Sequence, residues 1–197
     1  MIIKEKTPIS SFLSVEKDMG LMVDKILKNK RLLRLLHYNT EDALDRPNLS
    51  PVEEAKLIGK NIRVVPYLNI EEENTYENYV LISFNRFSPN GTNPEFRDNI
   101  VQFDVVCHYD LWHLKDFQLR PFKIAAELDS MFSDSHLSGI GHLKFLGAHV
   151  MTFHDGIHGG VCLTYKAIHG EEDKKTFPTP QDQTLFEQDF WEMSESD

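Results

Sequence analysis

Apolar and polar residues alternate along the middle of the chain, most regularly from Ile100 to Tyr109. Successive residues of a β-strand point to opposite faces, so this pattern predicts a strand with one buried face and one largely polar face. The apolar positions are Val101, Phe103, Val105, Cys107 and Tyr109, and the polar side carries Gln102, Asp104 and His108.

Four further apolar runs predict additional strands. Residues 62–67 contain a proline, which restricts that strand to an edge or a strand end. Residues 79–84 are nearly apolar on both faces and should form a central strand. Residues 143–153 and 161–168 flank a glycine-rich turn at residues 154–160 and predict a β-hairpin.

Two segments have the periodicity of amphipathic helices. From about Asp18 to Leu36, apolar residues recur at three- and four-residue spacing, while lysines and arginines occupy much of the remaining surface. Such a basic helix could also seek a membrane or a partner, but a cationic outer side is ordinary for a helix packed on a sheet. A second helix, Pro121 to Phe132, has one apolar face formed by Ile124, Ala125, Leu128, Met131 and Phe132.

A third, shorter helix has the sharpest boundaries. Ser50 is followed by Pro51 and by Glu53, which together predict a capping box with proline at the first helical position. Gly59 suits the left-handed residue that ends a helix of this length.

These elements predict an α+β fold with a mostly antiparallel sheet and helices packed on one face. With 197 residues and 41% hydrophobic content, the chain is long enough to bury a core. We expect an N-terminal extension with two helices at residues 1–60, an α+β core domain at residues 61–170, and an acidic C-terminal tail at residues 171–197.

The formal net charge of −10 lies mostly in that tail. Residues 171–197 hold nine acidic residues and two lysines, a net charge of −7, which leaves −3 for the rest. Specific or general nucleic-acid binding is not expected, because it requires clustered lysine and arginine. No apolar run reaches the roughly 18 residues of a membrane span, and the N-terminus lacks the order of a signal peptide, so we expect synthesis in the cytoplasm without membrane association.

Candidate chemistry is sparse. The only two cysteines, Cys107 and Cys162, fall in predicted strands and are expected to be buried free thiols. His149, His154 and His158 invite a metal interpretation, but strand parity should send the first two to opposite faces. Since no nucleophile, phosphate loop or ligand set is evident, we expect no enzyme activity, no metal and no cofactor.

The strongest loop signal lies at Ser88 to Asp98, where two prolines and an Asn-Gly pair occur together. We expect an exposed loop that contacts a neighbouring subunit or a tube, because its apolar and cationic flanks are not explained by folding. The residues predicted to make this contact are Arg86, Phe87, Asn90, Gly91, Phe96 and Arg97.

The acidic tail contains a short aromatic segment near its end. Residues 171–183 have almost nothing to bury, so we expect them to act as a tether. The segment after them is predicted to dock on an adjacent subunit or another protein, through Leu185, Phe186, Phe190 and Trp191.

Residues 61–169 resemble the tail terminator (tail completion) proteins of long-tailed bacteriophages. The likeness is carried by the strands at residues 78–84 and 100–107, by the helix at residues 120–128 and by the closing hairpin that reaches Tyr165 and Lys166. The resemblance implies a structural virion protein that forms a homo-hexameric ring at the tail–neck junction, caps the tail tube and joins it to the head connector.

The same resemblance implies the partners and the location. The partners would be further copies of the chain, the tail tube protein and neck or connector proteins. The protein would reside in the tail–neck region of the virion, and in the host cytoplasm during assembly. A head-completion or connector adaptor (stopper) subunit and a small intracellular binding domain remain as alternatives.

Overall fold

The protein has an α+β fold, as the sequence predicts. The computed structural model describes residues 11–65, 76–89, 97–133, 135–137 and 141–169. In this part of the chain the helices are α1 (Ser11–Lys28), α2 (Lys30–His37), α3 (Pro51–Leu57) and α4 (Arg120–Phe132), with 3-10 turns at Tyr109–Leu111 and Lys115–Phe117. The strands are β1 (Ile62–Arg63), β2 (Asn78–Pro89), β3 (Arg97–His108), β4 (His136–Leu137), β5 (Gly141–His142), β6 (Lys144–Thr152) and β7 (His158–His169).

Five of the strands form one sheet in the order β1-β2-β3-β7-β6. β1 runs parallel to β2, and every other neighbouring pair is antiparallel. The central strand is β3. β2 was expected to be central because both of its faces are apolar. Within the described part of the chain it is paired on both sides only at Val80 and Leu81, where the short β1 lies beside it.

The main core lies between the helices and one face of the sheet. Val101, Phe103 and Val105 of β3 are fully buried there, as the alternating pattern predicts. The ring of Phe103 stacks on that of Phe132 from α4 with 4.6 Å between centroids, and it meets the ring of Tyr165 edge-on at 5.8 Å. The predicted apolar face of α4 is therefore confirmed.

The N-terminal helical segment differs from the prediction of one helix that begins near residue 18. It consists of α1 and α2, separated at Asn29. The Asn29 side chain accepts a hydrogen bond from the Leu32 amide at 3.0 Å and so caps the second helix. The periodic apolar pattern does not reveal such a break, because the three- and four-residue spacing of apolar positions continues from α1 into α2.

The predicted capping box before α3 is confirmed. The Ser50 side chain accepts from the Glu53 amide, and the Glu53 carboxylate accepts from the Ser50 amide at 2.8 Å. Gly59, two residues after the helix, has the positive φ of 75° that the sequence predicts.

The second face of the sheet carries a small apolar cluster, to which β2 contributes as its two apolar faces predict. Tyr79, Leu81 and Val106 form a small buried cluster there, against which Val65, Met151 and Phe153 pack. Tyr109, predicted to continue the apolar face of β3, instead begins a 3-10 turn.

Candidate functional site

Strand β6 is an edge strand with an exposed apolar surface. It pairs with β7 on one side, and among the described residues no strand pairs with its other side. Phe145, Leu146 and Val150 are 41%, 51% and 57% exposed. Unpaired main-chain groups along a strand edge are a template for another chain, and monomeric proteins usually protect them. Here the edge is nine residues long and rich in apolar side chains.

Two β-bulges interrupt the sheet near one end. In β2 the extra residue is Arg86, between Asn85 and Phe87, and in β6 it is Leu146, between Phe145 and Gly147. Arg86 has a φ of 52°, which is uncommon for a residue with a Cβ atom. Bulges redirect side chains relative to a regular strand, and they occur frequently beside functional sites.

The side chains of both bulge residues line one cleft. Its volume is about 230 Å³, and it crosses β2, β3, β7 and β6. We call it the bulge cleft. It is lined by Arg86, Ser88, Asp98, Ile100, Leu146 and Lys166.

The bulge cleft carries a positive charge that is only partly compensated. Lys166 forms an ion pair with Asp98, with 2.6 Å between Nζ and Oδ2. The Arg86 guanidinium forms no ion pair with any other described residue. Cationic and apolar groups together suit a ligand with an aromatic or acidic character.

The structure places part of the predicted contact loop beside this cleft. Arg86 lines it, and Phe87 is half-buried opposite Asn99. Asn90, Gly91 and Phe96 lie outside the described residues, as do Leu185, Phe186, Phe190 and Trp191 of the predicted docking segment.

The boundaries of that loop were predicted too wide. Ser88 and Pro89 still belong to β2, where they pair with Asp98 and Arg97 of β3. Turn-forming residues mark where a loop is possible, but the hydrogen bonds of a long hairpin extend the strands into the turn-rich segment.

A polar row crosses the second face of the sheet. The Asn85 amide donates to the Gln102 side chain at 2.6 Å, and Gln102 donates to both carboxylate oxygens of Asp104 at 2.9 Å.

Burial raises the pKa of the Cys162 thiol to about 12, and its hydrogen bond with Asp104 adds to this. Cys162 therefore stays protonated and is a poor nucleophile at neutral pH.

The three histidines that invited a metal interpretation do not lie together in one site. His149 lies in β6 opposite Cys162, and His158 is buried at the start of β7. The parity argument for His154 was wrong in detail, because β6 ends at Thr152 and His154 lies in the turn. Among the residues that the structure describes, no three histidine, cysteine or acidic side chains gather as a metal site would require.

One of these histidines has a structural partner. The His158 ring is hydrogen-bonded to Asp155 with 2.6 Å between Nδ1 and Oδ2. Partial burial works to raise the pKa of Asp155, but this bond and two backbone amide bonds outweigh it and hold the pKa below its usual value. The arrangement fastens the β6–β7 turn.

A projecting phenylalanine was missed by sequence reasoning. Phe117 is fully exposed at the tip of a tight loop after β3, and both it and Asp116 have a φ of 58°. We call this loop, residues 113–119, the Phe117 knob. Sequence reasoning assigns a single phenylalanine among polar and apolar neighbours to the core. Only the backbone conformation of the loop shows that this one projects into solvent.

No helix among the described residues is long and apolar enough to cross a membrane.

Comparison with known proteins gives one family. No curated protein matches the chain. A family model described as YomW matches residues 29–167, and YomW is the name of a phage-derived protein of the SPbeta-like prophage type. Because the match covers well over half of the chain, this protein belongs to the phage-associated YomW family.

Proposed function

We propose that the protein is a structural subunit of the phage tail–neck junction. It assembles into a ring, most simply a homo-hexamer, that caps the tail tube and joins it to the head connector. Membership of a phage-associated family and the α+β fold with helices on one face support this proposal. The likeness of residues 61–169 to tail terminator proteins supplies the specific role.

The observation that carries the proposal is the open edge of β6. A ring subunit contacts two neighbours through two different surfaces, and each surface must be available in the free subunit. No described strand pairs with the outer side of this edge, which presents its main-chain groups together with Phe145, Leu146 and Val150. An exposed apolar strand edge of this length is an aggregation hazard unless another chain covers it.

We further propose that the subunit is not an enzyme and acts through contacts alone. Both cysteines are buried, and burial raises the pKa of each to about 12, so neither supports nucleophilic chemistry at neutral pH. The bulge cleft is smaller than the roughly 300–1,000 Å³ of a typical small-molecule site. In this proposal the partners are other copies, the tail tube and the connector, and the protein resides in the virion after assembly in the host cytoplasm.

Native mass spectrometry of the full chain tests the ring directly. We expect a single closed oligomer at micromolar concentration. In Val150→Lys, the concentration at which the oligomer dissociates should rise at least tenfold, because a lysine ammonium would be desolvated at the contact. Val52→Lys is the matched control, since Val52 is 66% exposed on α3, away from the edge. A monomeric wild type, or an edge variant that assembles normally, would contradict the proposal.

Deletion of the gene from its phage tests the location. Electron microscopy should then show heads and tails that are not joined. Tails of uncontrolled length would indicate a terminator, whereas tails of normal length would indicate a connector adaptor. Intact, infectious particles would exclude both roles.

A further inference from the structure

The Phe117 knob ends in a tight turn in which the Gln118 amide donates to the Lys115 carbonyl at 3.3 Å, and the two residues between them, Asp116 and Phe117, both have a positive φ. Aspartate is ordinary at such a position, whereas phenylalanine in the left-handed region is strained. Such strain is usually offset by burial or hydrogen bonding of the side chain. The Phe117 ring is instead fully exposed. The turn itself is hydrogen-bonded, but a phenylalanine at an unfavourable position with its ring in solvent points to a benefit that appears on binding.

The knob is held firmly in this conformation. The Lys115 amide donates to the carbonyl of Glu41 at 3.0 Å, and the Lys115 ammonium pairs with Asp45 at 2.7 Å. Within the loop, the Leu114 amide donates to the Gln118 carbonyl at 2.9 Å. Because the base is fixed, little entropy is lost when the ring at the tip is buried by a partner.

The knob and the bulge cleft lie at opposite ends of one strand. Ile100 of β3 lines the cleft, whereas His108 ends β3 and leads directly into the segment that carries Phe117. Ile100 and His108 are eight positions apart, a rise of about 26 Å along the strand. A projection at one end and a recess at the other are the two halves of a head-to-tail contact.

The two surfaces are complementary in size and charge. The cleft holds about 230 Å³, which is small for a metabolite but sufficient for a side chain. Leu146 and Ile100 supply apolar contacts for a phenyl ring, and Arg86 supplies a cation for its face. Asp116, the neighbour of Phe117 in the chain, adds a negative charge that is complementary to Arg86.

We propose that the Phe117 knob of one copy inserts into the bulge cleft of the next copy. This inference rests on the proposed ring, and it names the residues of its repeated contact. The cleft adjoins the open β6 edge through Leu146, so cleft and edge form one receiving side and the knob forms the other. If the rotation between copies closes, this heterologous contact generates a ring.

Phe117→Asn tests the contact with an internal control for folding. Asparagine tolerates the left-handed conformation better than phenylalanine, so the variant subunit should fold and keep the far-UV circular dichroism spectrum of the wild type. Its oligomer, measured by native mass spectrometry, should dissociate at a concentration at least tenfold above that of wild type. Val52→Asn, at an exposed apolar site on α3, should leave the oligomer unchanged.

Two failures are distinguishable in this experiment. If wild type is a ring and Phe117→Asn forms the same ring at the same concentration, the knob inference is overturned and the proposed function stands. If wild type is a monomer, the ring proposal fails, and this inference falls with it.

Cross-linking identifies the receiving surface independently of stability. Phe117 is replaced by the photoreactive p-benzoylphenylalanine, and this copy is mixed with an isotope-labelled wild-type copy before irradiation. We expect cross-links from position 117 to labelled peptides that contain Arg86 or Leu146. Cross-links only to other regions, or within one copy alone, would overturn the inference.

Discussion

The guanidinium of Arg120 donates a hydrogen bond from Nη1 to the main-chain carbonyl of Leu35 at 2.7 Å, and so fastens the start of α4 to the end of α2. Arg120 is fully buried and has no carboxylate partner among the described residues. Its other donors reach the carbonyls of Tyr38, Thr40 and Leu111 at 2.7–2.8 Å. Carbonyls at a helix C-terminus carry partial negative charge, which compensates the buried cation.

Arg120→Lys should therefore destabilise the fold strongly. An ammonium cannot reach four carbonyls that diverge around a planar guanidinium, so several buried acceptors would lose their donors. We expect a loss of about 2–5 kcal/mol in the free energy of unfolding, measured by urea denaturation. Arg46→Lys is the control: Arg46 is half exposed in a surface ion pair with Asp42, and its change should stay within about 0.5 kcal/mol. Equal effects would refute a structural role for Arg120.

Gly160→Ala should be among the most damaging single-methyl changes in the sheet. A Cβ atom at Gly160 would lie 1.7 Å from the Val105 carbonyl oxygen, so the β3–β7 pairing would have to separate. We expect a loss of at least about 3 kcal/mol in thermal or urea unfolding. Gly147→Ala on β6 meets nothing within 4 Å and should change stability by less than about 1 kcal/mol. A tolerated Gly160→Ala would show that the strands are not so tightly apposed.

Asp155 should make the protein sensitive to acid. Its pKa is lower in the folded protein than in the unfolded chain, where it is about 3.9. The stability that it contributes is therefore complete above pH 3.9 and is lost as the pH falls through the folded pKa. Asp155→Asn should flatten the decline of unfolding free energy below pH 4, measured by urea titrations at several pH values. Asp110→Asn, at a largely exposed carboxylate, should leave that decline in place.

Both thiols should be unreactive in the folded protein. The pKa of each is raised to about 12, chiefly by burial, so the thiolate fraction near pH 8 is negligible. We expect no rapid reaction of native protein with a disulfide reagent, and two reactive thiols per chain in urea. Fast labelling of Cys107 or Cys162 in native conditions would indicate that the sheet opens locally.

The regular part of the fold could be predicted because burial of one face requires apolar residues at regular spacing along the sequence. The alternation around Phe103 and the capping box at Ser50 each reflect a local rule that the structure obeys. The break at Asn29 and the place of β2 beside a short edge strand escaped prediction. Both depend on what packs against a segment, and a one-dimensional pattern does not contain that information.

The candidate site was predictable only in part. Arg86 was identified because it flanks a turn-rich segment, and it does line the bulge cleft. Leu146 and Phe117 were missed, since a bulge and a left-handed backbone are set by strand register and loop geometry. Neither leaves a compositional signal.

The bulges also make the cleft an editable feature of the chain. Each is one inserted residue, so a deletion of Arg86 or of Leu146 leaves the flanking pairs, Asn85 with Ile100 and Gly147 with Thr164, with their present partners. Two single-codon deletions would thus remove both bulges and leave a regularly paired sheet. Insertions and deletions at these two positions would remodel the surface of the protein while its hydrophobic interior stayed the same.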